Sequence, residues 1–140
     1  MTRTGSTKKA PSGFDTSRLR IAESYLEAAK VVLEFSEVGA PGNPIVSLAV
    51  SAAIGFTDAL TARFGGEFSA GEHNAVVAVL KKALGNKLLR THENALSKVL
   101  SAKDEAQYSA RIIPLGEAKQ HLENIQKFAL WARLELEKNA

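Results

Sequence analysis

Residues 44 to 64 read PIVSLAVSAAIGFTDALTARF, a stretch apolar nearly all round, and the fold turns on whether it crosses a membrane or lies inside a core. Its uncharged run extends only from Ile45 to Thr57, short of the ~20 apolar residues that span a bilayer, and Asp58 and Arg63 follow it. The stretch is therefore expected to be a central core helix. Pro44 suits a first helical turn with Asn43 as cap, and Gly65 and Gly66 mark the stop. Its Ala, Ser and Gly content lets neighbouring helices approach closely, as a surrounded helix requires.

Amphipathic segments lie on both sides. Thr16 or Ser17 can cap a first helix whose apolar stripe is Leu19, Ala22, Leu26, Ala29 and Leu33, widened by Tyr25 and Val32. Ser69 and Glu72 form a capping box for a third helix that buries Val76, Val79, Leu80 and Ala83 and breaks at Gly85 and Asn86. A fourth helix uses Leu89, Leu96, Val99, Leu100 and Ala106 and ends before Pro114. The last carries Ala118, Leu122, Ile125, Ala129, Ala132 and Leu136, with Trp131 near its end. No internal repeat and no alternating strand pattern is visible. The expected fold class is all-α, an antiparallel bundle of about five helices.

Composition narrows the function classes. A chain of 140 residues fits a single domain able to bury roughly 68% of its unfolded surface unaided. The absence of cysteine excludes disulfides, thiolate metal sites and a cysteine nucleophile. Residues 1 to 15 are rich in Thr, Ser, Gly and Pro, carry no apolar signal core, and are expected to be a disordered basic arm before a single domain over 16 to 140. A cytoplasmic location is the corresponding expectation. Of 18 Lys and Arg, Arg3, Lys8 and Lys9 precede the first acidic residue, so the remainder balances the 15 Asp and Glu. One local basic cluster remains, Lys81, Lys82, Lys87, Arg90 and Lys98, opposed only by Glu93 and readable as a solvated helix surface or a nucleic-acid contact.

Motifs that usually carry chemistry are missing. His73, His92 and His121 have no second histidine at i+3 or i+4, so no metal is expected. No nucleophile elbow surrounds a serine, and the glycines of FGGEFSAG lack the ending of a phosphate loop. No cofactor is expected. Two places stand out. Ser47, Ser51, Ile54, Asp58 and Thr61 share one face of the second helix, and a buried Asp58 would need donors from His73 or a basic group of the fourth helix. In SAKDEAQYSARI, residues 101 to 112, Lys103 follows the buried stripe, Tyr108 comes about 140° further round, and Arg111 complements the helix C-terminus.

The small-residue helix SLAVSAAIGFTDALTARFGG, the connection FSAGEHNAVVAVLKKAL and the stretch LSAKDEAQYSARI together resemble the HEPN family of helical bundles, over roughly residues 17 to 135. The likeness is to its small stand-alone bacterial members. It implies a homodimer, and for nuclease members a late-helix Arg followed, after four to six residues, by His, which attack RNA without metal in a cleft between protomers. Here Lys103 stands where the arginine would be and Tyr108 where the histidine would be. Lysine lacks the bidentate fork of arginine, and a phenol is a poor acid–base group at neutral pH.

The resemblance thus implies a non-catalytic module binding RNA, a nucleotide or a protein partner through Lys103, Tyr108 and Arg111, with Asp58 and His73 as further candidates and no membrane involvement. A divergent metal-independent ribonuclease and a purely structural or antitoxin-like partner protein are the alternatives.

Overall fold

The structure, a computed structural model, describes residues 6–71 and 73–138, with the backbone alone at 73 and 74. In chain order these form β1 (Thr7–Lys9), α1 (Phe14–Phe35), α2 (Asn43–Gly65), β2 (Glu67–Ser69), α3 (His73–Leu84), α4 (Arg90–Ser101), α5 (Lys103–Tyr108) and α6 (Leu115–Lys138). The chain is a helical bundle with one small antiparallel ribbon.

The core is organised around α2. By length and composition this helix could cross a membrane, yet Ile45, Val46, Ala49, Val50, Ala53, Phe56 and Leu60 are all buried against the rest of the chain. It meets α1, α3, α4, α5 and α6. Three glycines at or within its ends explain how so many neighbours fit. A methyl group on Gly42 would stand 2.6 Å from the Ala118 Cβ of α6, one on Gly55 2.8 Å from the Ala22 Cβ of α1, and one on Gly65 3.2 Å from the Ala83 Cβ of α3. Three of these neighbours, α6, α1 and α3, therefore each rest an alanine on bare backbone at or within α2. Thr57 and Thr61 lose no hydrogen bond by burial, because their hydroxyls donate to the carbonyls of Ala53 (2.8 Å) and Asp58 (3.2 Å).

Several expectations change. The described part of the arm is structured: β1 pairs with β2 through Thr7–Ser69, Lys8–Phe68 and Lys9–Glu67, and Phe14 stacks on Phe68 with ring centroids 4.3 Å apart. Strands of three residues are too short to show an alternating pattern, and the apolar anchor is the Phe68 ring of β2 stacked on Phe14 at the start of α1. Helix α1 begins before Thr16, after Gly13 in a left-handed conformation (φ 81°), which places Asp15 in its first turn where a carboxylate favours the helix dipole. Ser69 belongs to β2 and its buried hydroxyl has no partner, so it does not cap α3; Glu72, the other half of the expected box, lies outside the described residues.

The fourth expected helix is two. Ala102 donates to Val99 at 3.1 Å, a tightened turn that ends α4, and α5 follows and stops at Tyr108 well before Pro114. Leu89 caps α4 from outside and is 53% exposed, and Tyr25 is 39% exposed, so neither joins the core.

The Gly55–Ala22 contact makes a direct prediction. Gly55→Ala should lower the urea unfolding free energy by about 1–3 kcal/mol through overpacking, although alanine is the better helix former by about 1 kcal/mol. Adding Ala22→Gly should recover part of the loss as a favourable coupling. A Gly55→Ala chain as stable as the parent would show that α1 and α2 are further apart than described.

Candidate functional site

Asn43 does not cap α2; Gly42 holds the cap position and no side chain bonds there. The Asn43 amide instead reaches across to the segment after α5. Its Nδ2 donates to the carbonyls of Ala106 and Arg111, each at 3.0 Å, and its Oδ1 accepts from the Ile113 backbone at 2.9 Å. Gly42 adds a backbone bond to the Ile113 carbonyl at 2.7 Å. One side chain thus fixes the end of α5 and the extended segment leading to α6.

On this support sit the residues of SAKDEAQYSARI. The Lys103 ammonium lies over the Tyr108 ring, 5.2 Å from its centroid, and Tyr108 is 74% exposed. Arg111 is engaged otherwise. It lies past the end of α5, bonds Glu105 at 2.7 Å and grips Glu117 of α6 through two bonds of 2.8 and 2.9 Å. These partners raise the guanidinium above its usual range and hold Glu117 below the ordinary carboxylate value. Arg111 is a brace between α5 and α6. Ile112 beside it is 66% exposed.

Asp58 belongs to a different neighbourhood. It lies four turns along α2 from Asn43, roughly 22 Å, and its partner is Arg18 of α1 at 3.5 Å. Among the described residues the fourth helix supplies no donor, and the His73 side chain, the other donor the sequence suggested, lies outside them. Burial pushes the Asp58 carboxyl up to about 6 against the opposing pull of Arg18. One turn nearer the end of α2, Arg63 binds Asp15, which is held below its ordinary value, and donates to the Leu136 carbonyl of α6 at 2.9 Å. Among the described residues no hydrogen bond, ion pair or ring contact joins Asp58 to Lys103, Tyr108 or Arg111.

The basic cluster also divides. Lys81 pairs with Glu93 at 3.4 Å, and the Lys87 ammonium covers the Phe64 ring at 4.6 Å. Lys82 and Glu67 line a cavity of about 140 Å³ beside Phe64, and β-pairing sets Lys9 opposite that same Glu67. Arg90 is exposed at the start of α4. Lys98 is elsewhere, near the buried His121 of α6, whose imidazole is pushed down chiefly by burial while Glu117 and Glu105 pull it up. His92 is likewise pushed down by burial, and it stacks on Trp131 with centroids 4.6 Å apart. The surroundings of His121 were not legible in the sequence, where only Glu117 four residues earlier hinted at a partner.

No protein-family model matches the chain, and no curated protein is significantly similar to it.

Two predictions follow from the geometry. Asn43→Ala should cost about 2–4 kcal/mol of stability, since it strips partners from three backbone groups at once, read by chemical denaturation. For Asp58, the folded state takes up its proton near pH 6 and the unfolded chain only near 3.8. Between those values the folded state binds more protons, so Asp58 adds stability as the pH falls from 6 toward 3.8 and none above. Measured against Asp58→Asn, the parent should gain about 3 kcal/mol over that window. A difference that stays flat from pH 7 to 4 would place Asp58 in solvent.

Proposed function

We propose that this protein is a non-catalytic HEPN-like module of the cytoplasm that acts as a homodimer and binds single-stranded RNA or a nucleotide at the Lys103–Tyr108 corner. The observation that carries the reading is the exposed tyrosine ring with an ammonium held beside it at 5.2 Å. An aromatic face stacks on any base, and a neighbouring lysine meets the phosphate that follows. The ring contributes little to the core, so its exposure is not a by-product of packing. Its surroundings are firm, because Asn43 pins the backbone on either side of it and Arg111 ties it to α6.

The absence of catalysis is supported by the same side chains. Lys103 offers a point charge in place of a fork, and the residue at the histidine position is a phenol in place of an imidazole. His92 is stacked on Trp131 of α6, and His121 is buried; burial holds both toward the neutral form.

Fluorescence titration with a short single-stranded RNA and with a mononucleotide tests this. Tyr108→Ala should weaken binding by roughly 1–3 kcal/mol, Tyr108→Phe by much less, and neither should move the unfolding midpoint appreciably. RNA incubated with the protein in a chelator should remain intact. Cleavage lost in Lys103→Ala would instead identify a divergent ribonuclease, and absence of any RNA or nucleotide binding would leave the structural, protein-partner reading.

A further inference from the structure

Three lysines from separate parts of the chain gather around the cavity of about 140 Å³ at the end of α2, whose wall includes Phe64, Glu67, Val79, Lys82 and Ala83. Lys82 of α3 is part of that wall, whereas its neighbour Lys81 turns to Glu93 of α4. Lys87 lies in the turn after α3, where Gly85 takes a left-handed φ of 56°, and the chain brings its ammonium to 4.6 Å from the centroid of the Phe64 ring. Lys9 enters from β1. Its register partner is Glu67, so the two side chains leave one face of the ribbon with Cβ atoms about 5 Å apart. All three lysines are exposed, and among the described residues the ion pairs of lysine engage Lys30, Lys81 and Lys138 but none of these three. Glu67 is the one carboxylate of the cavity wall, and it already accepts from the Thr7 hydroxyl at 3.0 Å. Three ammoniums against one carboxylate leave positive charge uncompensated at this corner. Spacing along one helix does not produce the arrangement: a strand, a helix and a turn each contribute one cation, and only the fold brings them together.

We propose that this corner binds phosphate, with the oxygens of a polyphosphate or of a nucleic-acid backbone held between Lys9, Lys82 and Lys87 at the mouth of the cavity. The site is separate from the Tyr108 corner, because the length of α2, roughly 33 Å, lies between Asn43 and Gly65. Lysine suits it as a point charge that meets phosphate without a fixed fork. A multiply charged anion matches the excess of cations, whereas a single carboxylate would compensate only one of them. The apolar wall of Phe64, Val79 and Ala83 keeps water from one side of the ammoniums, so their field is screened less than on an open surface. Resting on the Phe64 ring, the Lys87 ammonium is positioned in advance and loses less freedom on binding.

Calorimetric titration of the full chain with tripolyphosphate and, separately, with a short oligouridylate tests this. The parent should bind tripolyphosphate, and more weakly as salt is raised. Lys9→Gln, Lys82→Gln and Lys87→Gln should each weaken binding roughly fivefold, the effect of one charge at a wet surface, and Glu67→Gln should tighten it by a similar factor. The side chains of the three lysines are exposed, so circular dichroism should be unchanged. Lys30→Gln removes the same charge elsewhere, fifteen residues along α1 from the Asp15 that binds Arg63, and should leave the affinity as it was, as should Tyr108→Ala. Oligouridylate affinity that falls with the three lysine substitutions assigns the phosphate to a nucleic-acid backbone; tripolyphosphate binding lost while oligouridylate is indifferent assigns it to a free polyphosphate. Binding of neither probe, affinities for both that ignore the three substitutions, or a Lys30→Gln loss as large as that of Lys82→Gln would overturn the site. The Tyr108 reading is decided separately, by Tyr108→Ala with the oligouridylate.

Discussion

A helix enclosed by its neighbours must be thin wherever they cross it, and α2 meets that constraint with glycine at three heights. Gly42, Gly55 and Gly65 receive Ala118, Ala22 and Ala83, one alanine from each of α6, α1 and α3. These contacts fix register as well as distance, because an alanine methyl fits over a glycine and over none of the larger residues one turn away. Sliding α1 along α2 by a turn would set Ala22 against Ser51 or Ala59 and open the pair by the thickness of a side chain. Most of the remaining geometry follows from the positions these three contacts impose.

The polar contacts between helices are one such consequence. With Ala22 on Gly55, the first turns of α1 lie beside the last turns of α2, so Asp15 finds Arg63 and Arg18 finds Asp58. On the other flank of α1, Glu23 meets Arg133 of α6 through two bonds of 2.5 Å, and that guanidinium also lies over the Phe56 ring. Each cation is shared between an acid and a second feature, a carbonyl for Arg63 and a ring for Arg133. Asp58 is the exception. Arg18 stands at 3.5 Å with its buried Nε unbonded, so the attraction does not offset burial and the carboxyl takes up a proton far above its usual range.

How much of this the sequence displayed depended on the length over which each signal accumulates. The 44–64 stretch, the Ala22–Leu26–Ala29 stripe and the stripe of α6 are long enough for periodicity to declare itself, and all three are buried as expected. Features set by single contacts were hidden. The break at Ala102 has neither Gly nor Pro to announce it, and the β1–β2 ribbon rests on Phe14 and Phe68, residues over fifty positions apart. Asn43 before Pro44 has the signature of a cap, yet its amide is worth more to three backbone groups near α5 than to its own helix. Arg111 was legible as a cation at a helix end, but not as the partner of Glu105 and Glu117. The HEPN resemblance drew attention to Lys103 and Tyr108; no periodicity argument would have singled them out.

The widening of the α1 stripe holds for Val32, which packs partly buried against the core, and fails for Tyr25 for an informative reason. Periodicity counts apolar residues and cannot tell which of them the fold will cover. The arc of α1 free of charge is wider than α2 alone can occupy, and the structure spends one part of it on Gly55 while leaving Ile21, Tyr25 and Phe35 outward. An isolated exposed apolar residue is ordinary on a protein surface, whereas Ile21, Tyr25, Val31 and Phe35 are spread along a single helix. Tyr108 is exposed in the other manner, as a single ring with its own cation, mounted on a backbone that Asn43 holds still. The two differ in their support: the α1 residues stay outward because Gly55 takes only one side of the helix, whereas the Tyr108 ring stands where Asn43 holds the backbone on either side of it.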